Sequence, residues 1–330
     1  MASIANRVAL FGLLACLAAA CSAEPAPETA AATWSVAFDA STAGALSGVW
    51  GSAPDDVWMA GGRPEAGEIW HFDGSSWATV PLPAGTPLLS WVYGFSATDA
   101  WAVGIKGAVL RWDGVVWKTL QSGTDQDLWG VWGPSPDDLW MVGGSVGKST
   151  PVILRWHGGA LAEVALDPAQ NTRDATALFK VWGFGGAVFA VGEGGLILQW
   201  SDGSWQARSA GAKANDDFVS LWGTSADHMV AVGGRSGGRI ATWDGATWQT
   251  VAPSGTPGLN AVFMTRPEQA LIGGIVGFAG TFDPATSAVS QEDPDTTRTI
   301  HAIWCDGAGR CYAVGGLFSP PWIGLALVRR

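Results

Sequence analysis

Charge is scarce in this chain. Asp, Glu, Lys and Arg make up 14% of the 330 residues, and the balance is acidic, with a formal net charge of -11. No cluster of Lys and Arg interrupts it. Nucleic acid and anionic lipid both need grouped cations to bind them, so neither is expected as a partner. Histidine and cysteine are equally thin, at four each. His71, His157, His228 and His301 share no spacing, which gives no support to a metal centre or a His-based triad. No Ser-centred elbow or zinc-helix motif is present either, and no cofactor is expected. Long segments of 3.6-residue periodicity are missing beyond the N-terminus, so helix should be nearly absent.

What the chain has instead is glycine and tryptophan, 46 and 21 residues respectively. Trp suits strands and Gly supplies the positive φ of tight turns, a composition of many short buried strands. The stretch Leu128 to Gly143 (LWGVWGPSPDDLWMVG) shows the unit: two short apolar runs around a Pro136-Asp137-Asp138 turn, a β-hairpin. Seven copies follow one another. Their first runs end in Val49-Trp50, Val92-Tyr93, Val131-Trp132, Val181-Trp182, Leu221-Trp222, Val262-Phe263 and Ile303-Trp304, at spacings of 43, 39, 50, 40, 41 and 41 residues. A period near 40 with four strands per unit is the signature of a β-propeller blade.

Blade one reads as strand a (Leu46 to Gly51), b (Val57 to Gly61), c (Glu68 to Phe72) and d (Trp77 to Val80), with Asp73-Gly74 turning c into d. That turn returns as Asp113-Gly114, Asp202-Gly203 and Asp244-Gly245. Strand a is apolar at consecutive positions because blades pack sheet on sheet and cover it on both faces. The seventh unit runs out at Arg330 without a strand d, while Thr33 to Phe38 (TWSVAF) resembles an unassigned d strand. The expectation is an all-β, seven-bladed β-propeller over residues 33–330, with the N-terminal strand closing the last blade.

The first residues read as a targeting segment. Arg7 is followed by the apolar run Val8 to Ala20 and by Cys21, with small residues just before the cysteine; the run is too short to span a membrane. This resembles the bacterial lipobox, which would make residues 1–20 a lipoprotein signal and Cys21 the lipidated N-terminus. Ala18 stands where the lipobox usually has Leu, and Leu14-Ala15-Cys16 is a second processing site to consider. Residues 21–32 then form a Pro/Ala tether without core-forming side chains. The remaining cysteines, Cys305 and Cys311, flank a turn between two strands and should form a disulfide in an oxidising compartment.

Several features invite functional readings and carry plainer ones. Gly143 to Thr150 (GGSVGKST) lacks the spacing of a phosphate-binding loop and is followed by Pro151 rather than a helix. The Asp55-Asp56 and Asp137-Asp138 pairs, with Asp99, Asp227 and Glu268, recur at the a–b turn in blade after blade, where Asp accepts turn amides, so they read as architecture rather than acid–base or calcium sites. Most Trp residues fall on repeat positions that pack between blades. Trp91, Trp129 and Trp322 fall outside the pattern. The d–a and b–c loops, which share one rim, are the variable ones, and variable loops on a rigid frame are where binding resides. Arg63, Glu65, Lys106, Lys148, Arg173 and Arg235 join the three Trp residues as the ligand-rim set.

With VWG in three blades (from Val49, Val131 and Val181) and Asp-x-Trp-x-x-Gly in three (from Asp56, Asp99 and Asp138), the chain resembles bacterial secreted Trp-rich β-propellers. Its Asp73-to-Trp77, Asp113-to-Trp117 and Asp244-to-Trp248 turns are similar to Asp-box, or BNR, repeats. The arginine constellation of sialidases is missing, and so is the Gly-His and Trp-Asp pairing of WD40 repeats. The resemblance implies a monomeric cell-envelope lipoprotein, in the outer membrane or periplasm, touching the membrane only through its lipid. Its rim would bind an envelope protein or a surface polysaccharide without catalysis; the alternative is a glycan-active hydrolase or lyase on the same frame.

Overall fold

A Trp-Gly step ends the inner strand of four of the seven repeats, Trp50-Gly51, Trp132-Gly133, Trp182-Gly183 and Trp222-Gly223, and packing between blades explains it. In a computed structural model of the chain, which describes residues 32–147, 150–167, 169–170, 172, 174–211 and 216–330, Trp50, Trp132 and Trp182 lie on the glycine of the next blade, Gly94, Gly183 and Gly223. A Cβ at Gly94 would stand 2.7 Å from the Trp50 ring, so any side chain there would drive the two blades apart. The same aromatic position, filled in turn by Trp50, Tyr93, Trp132, Trp182, Trp222, Phe263 and Trp304, forms a belt around the axis. Neighbours in it include Trp182 and Trp222 at 5.8 Å and Trp222 and Phe263 at 4.5 Å between ring centroids.

Seven four-stranded antiparallel sheets result. Their inner strands are Ala45–Ala53, Leu89–Ser96, Leu128–Ser135, Leu178–Phe184, Phe218–Ser225, Leu259–Arg266 and Thr299–Cys305. Each is buried almost end to end on both faces. Strand b of each blade presents an aromatic or apolar side chain to the outer strands of the next: Trp58 meets Trp112 and Trp117, Trp140 meets Trp200 and Trp205, and Phe189 meets Trp243 and Trp248. Such pairs add about 0.5–1.5 kcal/mol each beyond the area they bury, which accounts for the abundance of indole in the sequence.

Six blades use four consecutive strands. The seventh takes Thr299–Cys305, Cys311–Gly316 and Gly324–Arg329 from the end of the chain and Trp34–Val36 from its beginning. Trp34 pairs with Arg329 and Val36 with Leu327, and Thr33 and Arg330 exchange both backbone hydrogen bonds at 3.0 Å. Glu292 at the end of blade six fastens this seam. It accepts the Trp34 indole N–H at 2.8 Å and a bidentate pair from Arg329 at 2.8 and 2.6 Å. Cys305 and Cys311 are disulfide-bonded across the first hairpin of the same blade.

The a–b aspartates serve architecture, but not through turn amides as the sequence had indicated. Asp99 and Asp138 open their b strands and grip Arg111 and Arg155 on strand c. Those guanidinium groups lie over the Trp101 and Trp140 rings at 5.0 and 4.6 Å. In blade one Asp56 binds His71, which stacks on Trp58. Burial works against the Asp56 carboxylate, yet His71, Ser52 and Trp58 together hold its pKa below the usual value. The turn-amide role belongs to the c–d aspartates: Asp73 accepts the Ser75 and Ser76 amides, and Asp113 and Asp244 do likewise.

Candidate functional site

All seven blades carry one irregularity at the same place. The a–b pairing slips by a residue just after the first buried aliphatic or aromatic of strand a: Leu46 faces Gly61 and Gly48 faces Ala60, leaving Ser47 unpaired. The same slip leaves out Ser90, Trp129, Phe179, Val219, Asn260 and His301 in the other six blades. A β-bulge inserts one residue and re-aims its side chain. Here strand b helps to force it, because each bulge sits beside a b-strand glycine; a Cβ at Gly61 would stand 2.7 Å from the Leu46 Cα. All seven bulge residues converge on the axis and line one cavity of about 240 Å³.

The cavity lies at the d–a and b–c end of the axial channel, where Leu88, Val146, Asp217 and Phe318 complete its mouth. Its walls are mostly apolar. Trp129 packs edge-on to Phe179 and donates its indole N–H to the Gly144 carbonyl at 2.9 Å. His301 lies 4.8 Å from Phe318 and donates Nδ1–H to the Ser47 carbonyl at 3.0 Å. That fixes Nε2 as the unprotonated nitrogen of the neutral ring. Burial, with the nearby Lys180 charge adding to it, pushes the His301 pKa down to about 4, so the ring is neutral at ordinary pH. The Ser47 hydroxyl donates to the Leu89 carbonyl at 2.6 Å. Asp217 is spoken for, accepting the Gly194 amide at 3.0 Å and pairing with Arg235 at 2.8 Å.

The residue after each bulge turns toward the neighbouring blade. It is small in five blades (Gly48, Gly130, Ser220, Ala261 and Ala302) and large in two, Trp91 and Lys180. Lys180 was not anticipated from the sequence, nor was the ring of bulge residues. The available signal was a lone cation inside an apolar strand-a run, Leu178 to Trp182, at a position where five other blades carry Gly, Ser or Ala. Burial holds the Lys180 amine well below its usual pKa.

The rim set is distributed unevenly. Trp129 lines the cavity. Trp91 is buried beneath Lys180 rather than standing on the rim surface. Trp322 is half-buried in the b–c loop of blade seven, its backbone N–H donated to the Ser319 carbonyl at 2.8 Å. Arg63 is held by Glu68 and the Thr42 carbonyl. Glu65 and Lys106 border a separate shallow groove between blades one and two, and Arg235 guards the mouth through Asp217. Lys148, Arg173 and both processing cysteines, Cys16 and Cys21, lie outside the described residues. Among the described residues no group of three or more His, Cys, Asp or Glu is placed to hold a metal ion, and no helix is long and apolar enough to cross a membrane.

No protein-family model matches the chain, and no curated protein matches it. Solved structures do. YCF48 bound to D1 peptide superposes with a TM-score of 0.66 at 14% identity, covering 92% of this chain and 98% of that one. The WD40 β-propeller domain of Doa1 gives 0.69 at 12% identity over 90% and 96%. A catalytically inactive virginiamycin B lyase from Staphylococcus aureus with quinupristin gives 0.68 at 12% identity over 90% and 99%. At these identities the likeness is one of architecture, and on that level the chain is a seven-bladed β-propeller.

Proposed function

We propose that this propeller is a binding protein of the bacterial cell envelope, anchored by a lipid on Cys21, whose axial mouth receives a peptide segment of a protein partner. One observation carries the reading. Seven bulges deliver seven different side chains, Ser47, Ser90, Trp129, Phe179, Val219, Asn260 and His301, to a single apolar-walled cavity open at the variable-loop end. A concave apolar site with a few placed polar groups is the usual form of a ligand site. Binding is favoured over catalysis because the carboxylate at the mouth, Asp217, is already engaged by Arg235 and Gly194. A peptide is favoured over a surface polysaccharide because sugars stack on exposed indoles, and none of the 21 Trp side chains is exposed. The YCF48 structure has a peptide bound to a propeller of similar shape.

The test is to pan a random peptide library on the full chain and challenge the captured peptides with two variants. Val219→Arg, which fills the cavity, should abolish capture. Phe184→Ala, at the opposite face where Phe184 is 47% exposed, should leave it intact. Capture that survives Val219→Arg would overturn the reading. The anchor is tested separately: Cys21→Ser should move the protein out of the membrane fraction, and unchanged fractionation would remove the lipoprotein part of the proposal.

A further inference from the structure

Among the described residues, Lys180 is the cation that lines the axial cavity, and it has no counter-charge. Its side chain is 6% exposed. Blade three offers only Gly130 at the corresponding position, so the chain of Lys180 reaches past it and sets Nζ over the Trp91 ring, 2.9 Å from the centroid. Among the described residues Nζ has no carboxylate or carbonyl acceptor, and burial lowers its pKa. Beside it the Ser90 hydroxyl is buried without any hydrogen-bond partner. An unpaired cation and an orphaned hydroxyl in one apolar pocket are costly to folding, and both are satisfied by the same kind of guest.

We propose that the axial cavity is a receptor for the C-terminal carboxylate of an apolar peptide tail, the carboxylate supplying the counter-charge that Lys180 lacks and accepting the Ser90 hydroxyl. The proposal rests on the reading that the mouth binds a peptide segment and names the end of the segment that enters. Size selects a chain end over an internal acidic residue. The cavity's 240 Å³ falls below the ~300 Å³ at which small-molecule sites begin. An internal Asp or Glu would bring two passes of backbone, whose closest separation is about 4.8 Å, whereas a terminus enters in single file. Phe179, Val219 and Trp129 then flank the last side chains.

Entry of the carboxylate favours the ammonium form of Lys180, so the site takes up a proton on binding and affinity falls as pH rises. The other titratable and charged groups facing the pocket do not reverse this. His301 is neutral through its bond to Ser47, and Asp217 is neutralised by Arg235. Ser47, Asn260 and the apolar walls carry no charge.

The experiment titrates the full chain with fluorescein-labelled Gly-Ala-Val-Leu-Val as the free acid and as the C-terminal amide. The free acid should bind at least tenfold more tightly than the amide, and less tightly at pH 9 than at pH 7. Lys180→Met should erase the difference between acid and amide while retaining the wild-type circular dichroism and melting no lower than the wild type, so a folding defect is not mistaken for a binding one. Equal binding of acid and amide to the wild type, both lost in Val219→Arg, overturns the carboxylate proposal and leaves the peptide-mouth reading standing. Failure of both peptides, or capture of free octanoate with neither peptide bound, overturns both.

Discussion

The two ends of the axial channel are built from the same seven strands and follow opposite rules. At the a–b end the belt from Trp50 to Trp304 repeats one residue type: five Trp, one Tyr and one Phe. At the d–a end the seven bulge positions hold Ser, Ser, Trp, Phe, Val, Asn and His, on a backbone that bulges identically each time. Where the side chain must lie on a neighbour's glycine, geometry leaves little choice of residue. Where the backbone is fixed and the side chain points into a cavity, the choice is free. Invariance within the repeat marks load-carrying contacts, and variation on an invariant backbone marks the binding end.

The comparison can be broken from its strongest side first. Trp132→Ala in the belt should cost about 3–5 kcal/mol, the usual loss for a large core aromatic, seen as a lower midpoint in chemical denaturation. A loss below about 1 kcal/mol would mean that the belt does not carry the ring. Acidification comes next. His301 has its pKa lowered from 6.5 to about 4 by burial, so the unfolded chain binds the proton more readily. Its contribution is full above pH 6.5 and is lost as pH falls toward 4, by up to ~3 kcal/mol. His301→Gln should flatten the stability profile in that window. The carboxylates with lowered pKa, Asp56 in the blade and Asp73 and Asp113 in the turns, act at lower pH, where their contribution is lost as pH falls below about 4.

The sign then reverses. Lys180 is lowered, so at neutral pH it opposes folding, and Lys180→Met should raise stability by about 1–3 kcal/mol, the range for relieving an unsatisfied buried polar group. A destabilised variant would return Lys180 to the architectural set. The smallest effect is expected at Trp129. Half-buried and held by one hydrogen bond to Gly144, it should cost on the order of 1 kcal/mol in thermal melting when changed to Ala, while peptide capture falls. The reverse pattern would place Trp129 with the belt.

Much of this frame was legible in the sequence. The aliphatic–aromatic pairs that end each first strand, their near-40-residue spacing and the missing seventh d strand determine blade number and closure, because each reflects packing or pairing that the ring needs. Trp129 could be singled out since it breaks the repeat. The cavity itself was not legible. A bulge adds one residue to a strand without a turn residue to announce it, so Ser47, Ser90 and Val219 read as ordinary strand positions. His301 read as one of four scattered histidines because its neighbours on the axis come from other blades 40 or more residues away. Trp91 was noticed for the right oddity and assigned to the surface, since nothing local shows that a lysine two blades on would cover it.

The split seventh blade has a consequence for how the molecule is made. Trp34 is made before any of the six complete blades, and its partner Arg329 after all of them. Contacts so far apart in sequence form late, after the loop-closure entropy of everything between has been met. The opening strand therefore waits unpaired while six blades assemble, and the ring can shut only once Gly324–Arg329 has been made. A chain truncated before Gly324, however many intact blades it carries, is left with two open edges, the kind of exposed strand that pairs with other molecules; the strand Gly324–Arg329 separates a closed ring from an aggregating one.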